Sequence, residues 1–293
     1  MKILITGCNG QLGNEMRLLA VEHPNHEYIY SDVIQSDNAF VLDITNQKEV
    51  ADFVAKHAID LIVNCAAYTN VDKAEENEAI AQKINAEAVE NLAKTGCKLI
   101  HISTDYVFAG DACYPYKESD SVSPKTAYGR TKWAGEQVLA KTNAIIFRTA
   151  WLYSTFGNNF VKTMLRLGKE KNELGVVFDQ IGTPTYAKHL AQAIFQAIES
   201  KDWHAGTYHF TNEGVCSWYD FTHEIFRQYN ALCPQNPIEA TVKPIHSSEY
   251  QYRTPRPFYS VLDKQKYKET FGATIPHWTD GLHECLEKLV GEQ

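Results

Sequence analysis

"MKILITGCNGQLGNEMRLL", residues 1–19, is the stretch on which the fold turns. Ile3, Leu4 and Ile5 form a short apolar run of strand character, and a glycine-rich turn follows at once. Gly7, Gly10 and Gly13 are spaced Gly-x-x-Gly-x-x-Gly and open a segment with helical spacing at Leu12, Met16 and Leu19. Such a turn needs positive φ, a backbone that can approach a pyrophosphate, and a helix packed hard on the strand. The amides at the helix N-terminus then face the anion. Glycines alone could mark an ordinary turn, but the strand–turn–helix setting at the head of the chain makes this a dinucleotide-binding fingerprint.

Working outward, strand and helix patterns alternate. Strands are predicted at 2–6, 27–32, 60–66, 98–103 and 144–150, and helices at 10–23, 47–57 and 78–96, with a further helix around Tyr128. Strands separated by helices imply an α/β fold, a Rossmann-like doubly wound parallel sheet covered on both faces. Beyond residue 150 the rhythm loosens. Helices are expected at 158–170, 187–200 and 217–230, a strand at 206–212, and then loops rich in Pro, Tyr and Arg, notably "YQYRTPRPFYS" at 250–260. The expected division is a dinucleotide-binding domain over 1–150, with 187–213 packing back onto it. Residues 151–186 and 214–293 then form a smaller, mostly C-terminal lobe.

Bulk properties narrow the function. Twenty-eight basic and 36 acidic residues leave a formal charge of −8, with no basic run that would track a phosphate backbone, so nucleic acid is not an expected partner. No stretch approaches the ~18 apolar residues of a membrane helix, and the start is too weakly apolar for a signal peptide. Seven scattered cysteines without Cys-x-x-Cys, and the absence of His-Glu-x-x-His, suggest no metal site and no disulfide framework. Reduced thiols in the cytoplasm are the expectation.

Asp32 closes the second strand about 20 residues beyond the turn, where a carboxylate grips ribose hydroxyls; this favours NADH over NADPH. Asp43 ends another apolar run and could lie beside the adenine. "HISTDYVF" (101–108) sets Ser103, Thr104 and Asp105 at the C-terminal end of a strand, the edge where ligands sit in open α/β sheets. Tyr128 and Lys132 lie one helical turn apart. Sixteen tyrosines and 21 lysines in 293 residues give about one such pair by chance, so the pair gains meaning only from its place after the turn and the Ser-Thr strand. Lowering a tyrosine pKa by ~3 units takes about 4 kcal/mol. One ammonium ~5 Å away, at an effective dielectric of ~20, offers roughly 3 kcal/mol.

These residues resemble the extended short-chain dehydrogenase/reductases, which share the glycine turn and Tyr-x-x-x-Lys. Within them the chain is similar to the dTDP-4-dehydrorhamnose reductase family over nearly its whole length, through "VNCAAYTNVDKAE", "HISTDYVFAG", "FRTAWLY", "GNNFVKTMLRL", "DQIGTPT" and "TPRPFYSVLD". The resemblance implies hydride transfer from NADH or NADPH to C4 of a 4-keto-6-deoxy nucleotide sugar, with Tyr128 as proton donor, Lys132 on the nicotinamide ribose and Thr104 steadying the oxygen. Gly7, Gly10, Gln11, Leu12 and Gly13 would hold the pyrophosphate, Asp32, Asp43 and Ile44 would surround the adenosine, and Ala67, Tyr68 and Thr69 would line the nicotinamide-ribose side. Thr104, Asp105, Trp151 and Trp218 would meet the sugar nucleotide in the smaller lobe, and Arg253 and Arg256 could clamp its diphosphate. Some members dimerise through Mg²⁺ held by glutamates. Glu15 matches one of these, but His189 replaces another, and imidazole is a poor magnesium ligand. A monomer or homodimer without that ion is therefore expected. The rival readings are a 4,6-dehydratase or epimerase of the same superfamily, an NADPH-linked reductase of a small ketone, and a non-catalytic NADP-binding subunit. The dehydratase is opposed by Tyr106, which stands where dehydratases carry the acid of an Asp-Glu pair, and the epimerase by the "DQIGTPT" and "FRTAWLY" pattern.

Overall fold

The computed structural model describes residues 1–291. The opening apolar run becomes β1 (Lys2–Thr6), and the glycine turn delivers the chain into α1 (Gln11–Leu19). Six more strands join β1 in one sheet: β2 (Glu27–Asp32), β3 (Phe40–Val41), β4 (Leu61–Asn64), β5 (Lys98–Thr104), β6 (Ile145–Thr149) and β7 (Gly206–His209). Their order is β7-β6-β5-β4-β1-β2-β3, and every neighbouring pair is parallel. From β1 the chain fills one side of the sheet and then crosses to β4 on the other. That reversal opens a crevice at the carboxyl ends of β1 and β4, the place where doubly wound sheets receive ligands.

Successive residues of a strand point to opposite faces, and β1 shows the consequence. Ile3 and Ile5 join Met16, Ile194 and Phe195 beneath α1 and α6 (Ala187–Glu199), while Leu4 packs with Val50, Val89, Leu92 and Ile146 on the other face. The second layer is built from α2 (Gln47–His57), the helical stretch over 78–93, and α4 (Ala127–Leu139). Side chains start these helices where free amides need acceptors: Asn46 caps α2, Asn70 caps α3 (Val71–Glu76), and Thr126 caps α4 through Gly129 N.

A separate apolar cluster holds the looser half. Val161 and Leu165 of α5 (Phe160–Glu170), Phe221, Ile225 and Tyr229 of α7 (Trp218–Leu232), and Leu282 and Leu286 of α8 (Trp278–Gly291) pack together. Ser217 and Asp220 form a capping box at the start of α7. A parallel strand pair, Glu173–Val177 with Thr241–Ile245, borders this cluster. Among the described residues no helix is long and apolar enough to cross a membrane.

Candidate active site

Two cavities meet at the carboxyl rim of the sheet, sharing Gly10, Cys65, Ala66 and Ala67 as a common wall. Gly7 has φ +64°, and a Cβ there would stand 2.6 Å from the backbone of Ala66, so only glycine fits. A Cβ on Gly13 would run into Gly7 O and the backbone of Cys8, which is how α1 comes so close to β1. Gly10 caps α1 without any side-chain acceptor, leaving the first-turn amides open to the cavity. The Asp32 carboxylate accepts from Asn9 N (3.1 Å) and Ile34 N (3.2 Å), pinning the turn to the end of β2. Asp32, Asp43 and Ile44 line the outer cavity together with Gly7 and Lys83. A backbone cradle with free amides, followed by a carboxylate-lined recess, fits a dinucleotide.

The inner cavity is floored by Thr104, Tyr128 and Lys132, with Gln11, Leu12, Ala67 and Thr69 on its walls. Tyr68 is not among its walls; both its backbone groups are held by Asn85, and its ring packs with Ala74, Ala81, Ala127 and Tyr128. Tyr128, Lys132 and Glu136 recur every fourth residue of α4 and so share one face. Gly129 lets that helix sit against β5's exit loop, since a Cβ there would collide with Tyr106 O. The Tyr128 hydroxyl is hydrogen-bonded to Thr104. Thr104 in turn donates to Asp105 Oδ1 at 2.9 Å and accepts from Tyr106 N at 3.2 Å. Ser103, one residue earlier, faces the other way and donates to Glu136 Oε1, which with Oε2 also receives the guanidinium of Arg148. Of the two hydroxyls at the strand end, Thr104 alone meets the tyrosine.

The electrostatics differ from the sequence expectation that Lys132 acidifies Tyr128. Burial pushes the phenol up to about 12, with the Thr104 hydrogen bond pulling it back only in part and the Asp105 carboxylate adding to the rise. The lysine is itself 2 % exposed, and burial lowers its ammonium to about 8 against the opposing pull of Glu136. Both charged forms lose solvation here, and Lys132 Nζ is turned onto Ile102 O and His101 rather than onto the phenol. A tyrosine that keeps its proton through the neutral range suits donation to a developing alkoxide. Asp105 is 3 % exposed, and burial raises its carboxyl to about 6 despite hydrogen bonds from Thr104 and Ser260.

A third cavity of about 400 Å³ adjoins the second through Tyr106 and Trp151. Trp151 and Trp218 lie in its wall, stacked with ring centroids 3.4 Å apart and planes 7° from parallel. Trp151 holds φ +49°, rare for a bulky side chain, and its indole covers Gly182, where any Cβ would strike the ring. Arg256, from the 250–258 strap, donates to Asp72 Oδ2 of α3 at 2.8 Å, and Arg253 pairs with Glu76. Arg256 Nη1 and Asp72 Oδ1 are buried without hydrogen-bond partners, so this pair has capacity left for a polar guest.

Residues 1–290 match one family model, the RmlD substrate binding domain. The chain belongs to this family. It is 40% identical to the dTDP-4-dehydrorhamnose reductase of Escherichia coli (strain K12), covering 99% of this chain and 98% of that one. Among solved structures, a dTDP-4-dehydrorhamnose reductase from Clostridium acetobutylicum superposes with a TM-score of 0.90 at 43% identity, over 99% of this chain and 100% of that one. The Bacillus anthracis dTDP-4-dehydrorhamnose reductase, solved in complex with NADP, gives a TM-score of 0.89 at 38% identity, over 98% and 99% of the two chains.

Within this RmlD family member, Glu15 is buried and takes the Ser154 hydroxyl at 2.6 Å, while His189 lies between Asn212 (2.7 Å) and Glu284 (3.2 Å). Among the described residues no three His, Cys, Asp or Glu side chains converge as metal ligands. Sequence reasoning missed Asn64, His101 and Asp72, and read Tyr106 only as a contrast with dehydratases, not as a wall of the site. His101 carried a usable signal, being an ionisable residue inside the otherwise apolar run "KLIHI" of a central strand. Asp72 carried none, because its partner lies 184 residues away.

Proposed function

We propose that the chain reduces the C4 ketone of dTDP-4-dehydro-L-rhamnose to dTDP-L-rhamnose, using NADH or NADPH, as the last step in making that nucleotide sugar. The observation that carries this reading is the position of Thr104, Tyr128 and Lys132: one cavity that abuts the glycine turn on one side and the tryptophan- and arginine-lined recess on the other. A bound reduced nicotinamide supplies the hydride. Tyr128 supplies the proton to the carbonyl oxygen, and its raised pKa keeps that proton available up to alkaline pH. Thr104 turns its hydroxyl from Asp105 to the same oxygen as charge develops there. Lys132 holds the cofactor ribose.

Gly7, Gly10, Gln11, Leu12 and Gly13 receive the pyrophosphate, Asp32, Asp43 and Ile44 the adenosine, and Ala67 and Thr69 the second ribose. Trp151 and Trp218 wall the recess for the sugar nucleotide, and Arg256 takes its diphosphate. We assign the cofactor role to 1–150 with 187–213, and the substrate role to 151–186 and 214–293. All seven cysteines are free thiols, which suits a cytoplasmic enzyme. The test is direct. Purified protein with dTDP-4-dehydrorhamnose and reduced nicotinamide should consume the absorbance of the reduced cofactor and yield dTDP-rhamnose. Consumption without that product, or none with either NADH or NADPH, defeats the assignment.

A further inference from the structure

Beneath Lys132 lies a chain of buried side chains that the reaction above leaves unused. Thr6 Oγ1 donates to Asn64 Oδ1 at 2.7 Å, and Ala66 N donates to the same oxygen at 3.2 Å. With its oxygen doubly engaged, Asn64 presents its amide nitrogen to His101 Nδ1, 3.1 Å away. An amide nitrogen can only donate, so Nδ1 carries no proton and the neutral ring bears its hydrogen on Nε2. That Nε2 stands 3.4 Å from Lys132 Nζ, whose other partner is the carbonyl of Ile102. Thr6, Asn64, His101 and Lys132 are each 2 % exposed or less, so solvent does little to relieve the arrangement. An N–H aimed at an ammonium is a donor facing a donor; an N–H aimed at a neutral amine is an ordinary hydrogen bond.

We propose that His101 is a positioning residue for Lys132: fixed by Thr6 and Asn64 with its Nε2–H toward Nζ, it aims the lysine head and sets how readily that head gives up its proton to solvent. The proposal rests on the reading of Tyr128 and Lys132 as the couple that serves the reduction. The other groups bearing on Lys132 are accounted for. Tyr128 and Glu136 face it from its own helix, and Glu136 is held in a bidentate pair by Arg148 of β6. Burial keeps His101 well below its ordinary pKa, so the ring is neutral in the working range and acts through its tautomer.

Three measurements test this. Long-range ¹⁵N spectra of the full chain should show His101 with hydrogen on Nε2. A ¹³C titration of lysine-labelled protein, with Lys132 assigned through Lys132→Arg, should give a midpoint that rises by about one pH unit in Asn64→Asp, because a carboxylate there recruits the hydrogen to Nδ1 and leaves Nε2 an acceptor. His101→Asn keeps a polar partner for Asn64 but removes the ring from Nζ. It should also raise the midpoint, move the alkaline limb of kcat/KM upward, and lower kcat about tenfold with little change in cofactor KM. If Asn64→Asp does not fold, the wild-type tautomer and His101→Asn decide. Hydrogen on Nδ1 in the wild type overturns the proposal, as does an unmoved Lys132 midpoint with only Tm lowered. A wild type that titrates as expected yet reduces no ketone would sink the functional reading and leave this wiring standing.

Discussion

At the glycine turn the crevice is bounded by backbone; beside Trp151 it is bounded by side chains. Gly7 sits against Ala66 because it has no Cβ, and α1 offers amides because Gly10 offers no cap. Across the tyrosine, the recess is made by Trp151 on Trp218 and by Arg256 on Asp72, contacts between segments far apart along the chain. The first kind of site depends on local conformation, and few residue types satisfy it. The second depends on tertiary packing, and many residue types could line it. Substitutions should therefore act differently at the two ends, with the tyrosine between them as the point common to both.

The largest effect is expected at that shared point. Tyr128→Phe should cut kcat by roughly 10³-fold while leaving cofactor Kd within a factor of about two, because it removes the proton and little surface. A rate near that of the wild type in stopped-flow or steady-state assays would remove Tyr128 from the reaction. Next comes Gly7→Ala: φ is +64° at Gly7, and the added methyl must displace the Ala66 backbone. Cofactor Kd should rise at least about tenfold, and stability should fall by about 1–3 kcal/mol. Equal weakening of sugar-nucleotide binding by calorimetry would break the contrast between the two ends. Arg256→Met should show the mirror pattern, with sugar-nucleotide KM up about tenfold and cofactor Kd unmoved.

A further effect is read in stability. Asp105 has a folded pKa of about 6, above its ordinary 3.8. The folded state therefore binds the extra proton between those values, and the stability it adds below pH 3.8 is lost as pH rises through 6. Asp105→Asn should abolish that loss and be the more stable protein at pH 8 by about 2 kcal/mol, measured by denaturant unfolding. Identical pH dependence in the two proteins would show that the carboxyl is not desolvated as described.

The same contrast explains what the sequence disclosed. Strands 2–6 and 27–32 and helix 47–57 coincide with their predicted bounds, since a central parallel strand is an unbroken apolar run and an amphipathic helix advertises its period. The glycine turn, Thr104 and the Tyr128–Lys132 pair were visible because their spacing is local. Strands 173–177 and 241–245 were not read, for they exist only through each other, and the second contains Pro244. Helices 265–271 and 278–291 also escaped, hidden behind a Pro- and Tyr-rich tract read as loop. Charge spacing suggested an acidified phenol; only the packing of β5 against α4 reveals that the lysine is turned aside.

The stacked indoles of Trp151 and Trp218 give the protein an optical signature of its own. Two aromatic transition dipoles held face to face at 3.4 Å couple as an exciton and quench one another's emission. A guest wedged between them would erase the circular-dichroism couplet and brighten the fluorescence, so occupancy at this end can be followed by light, with no label attached.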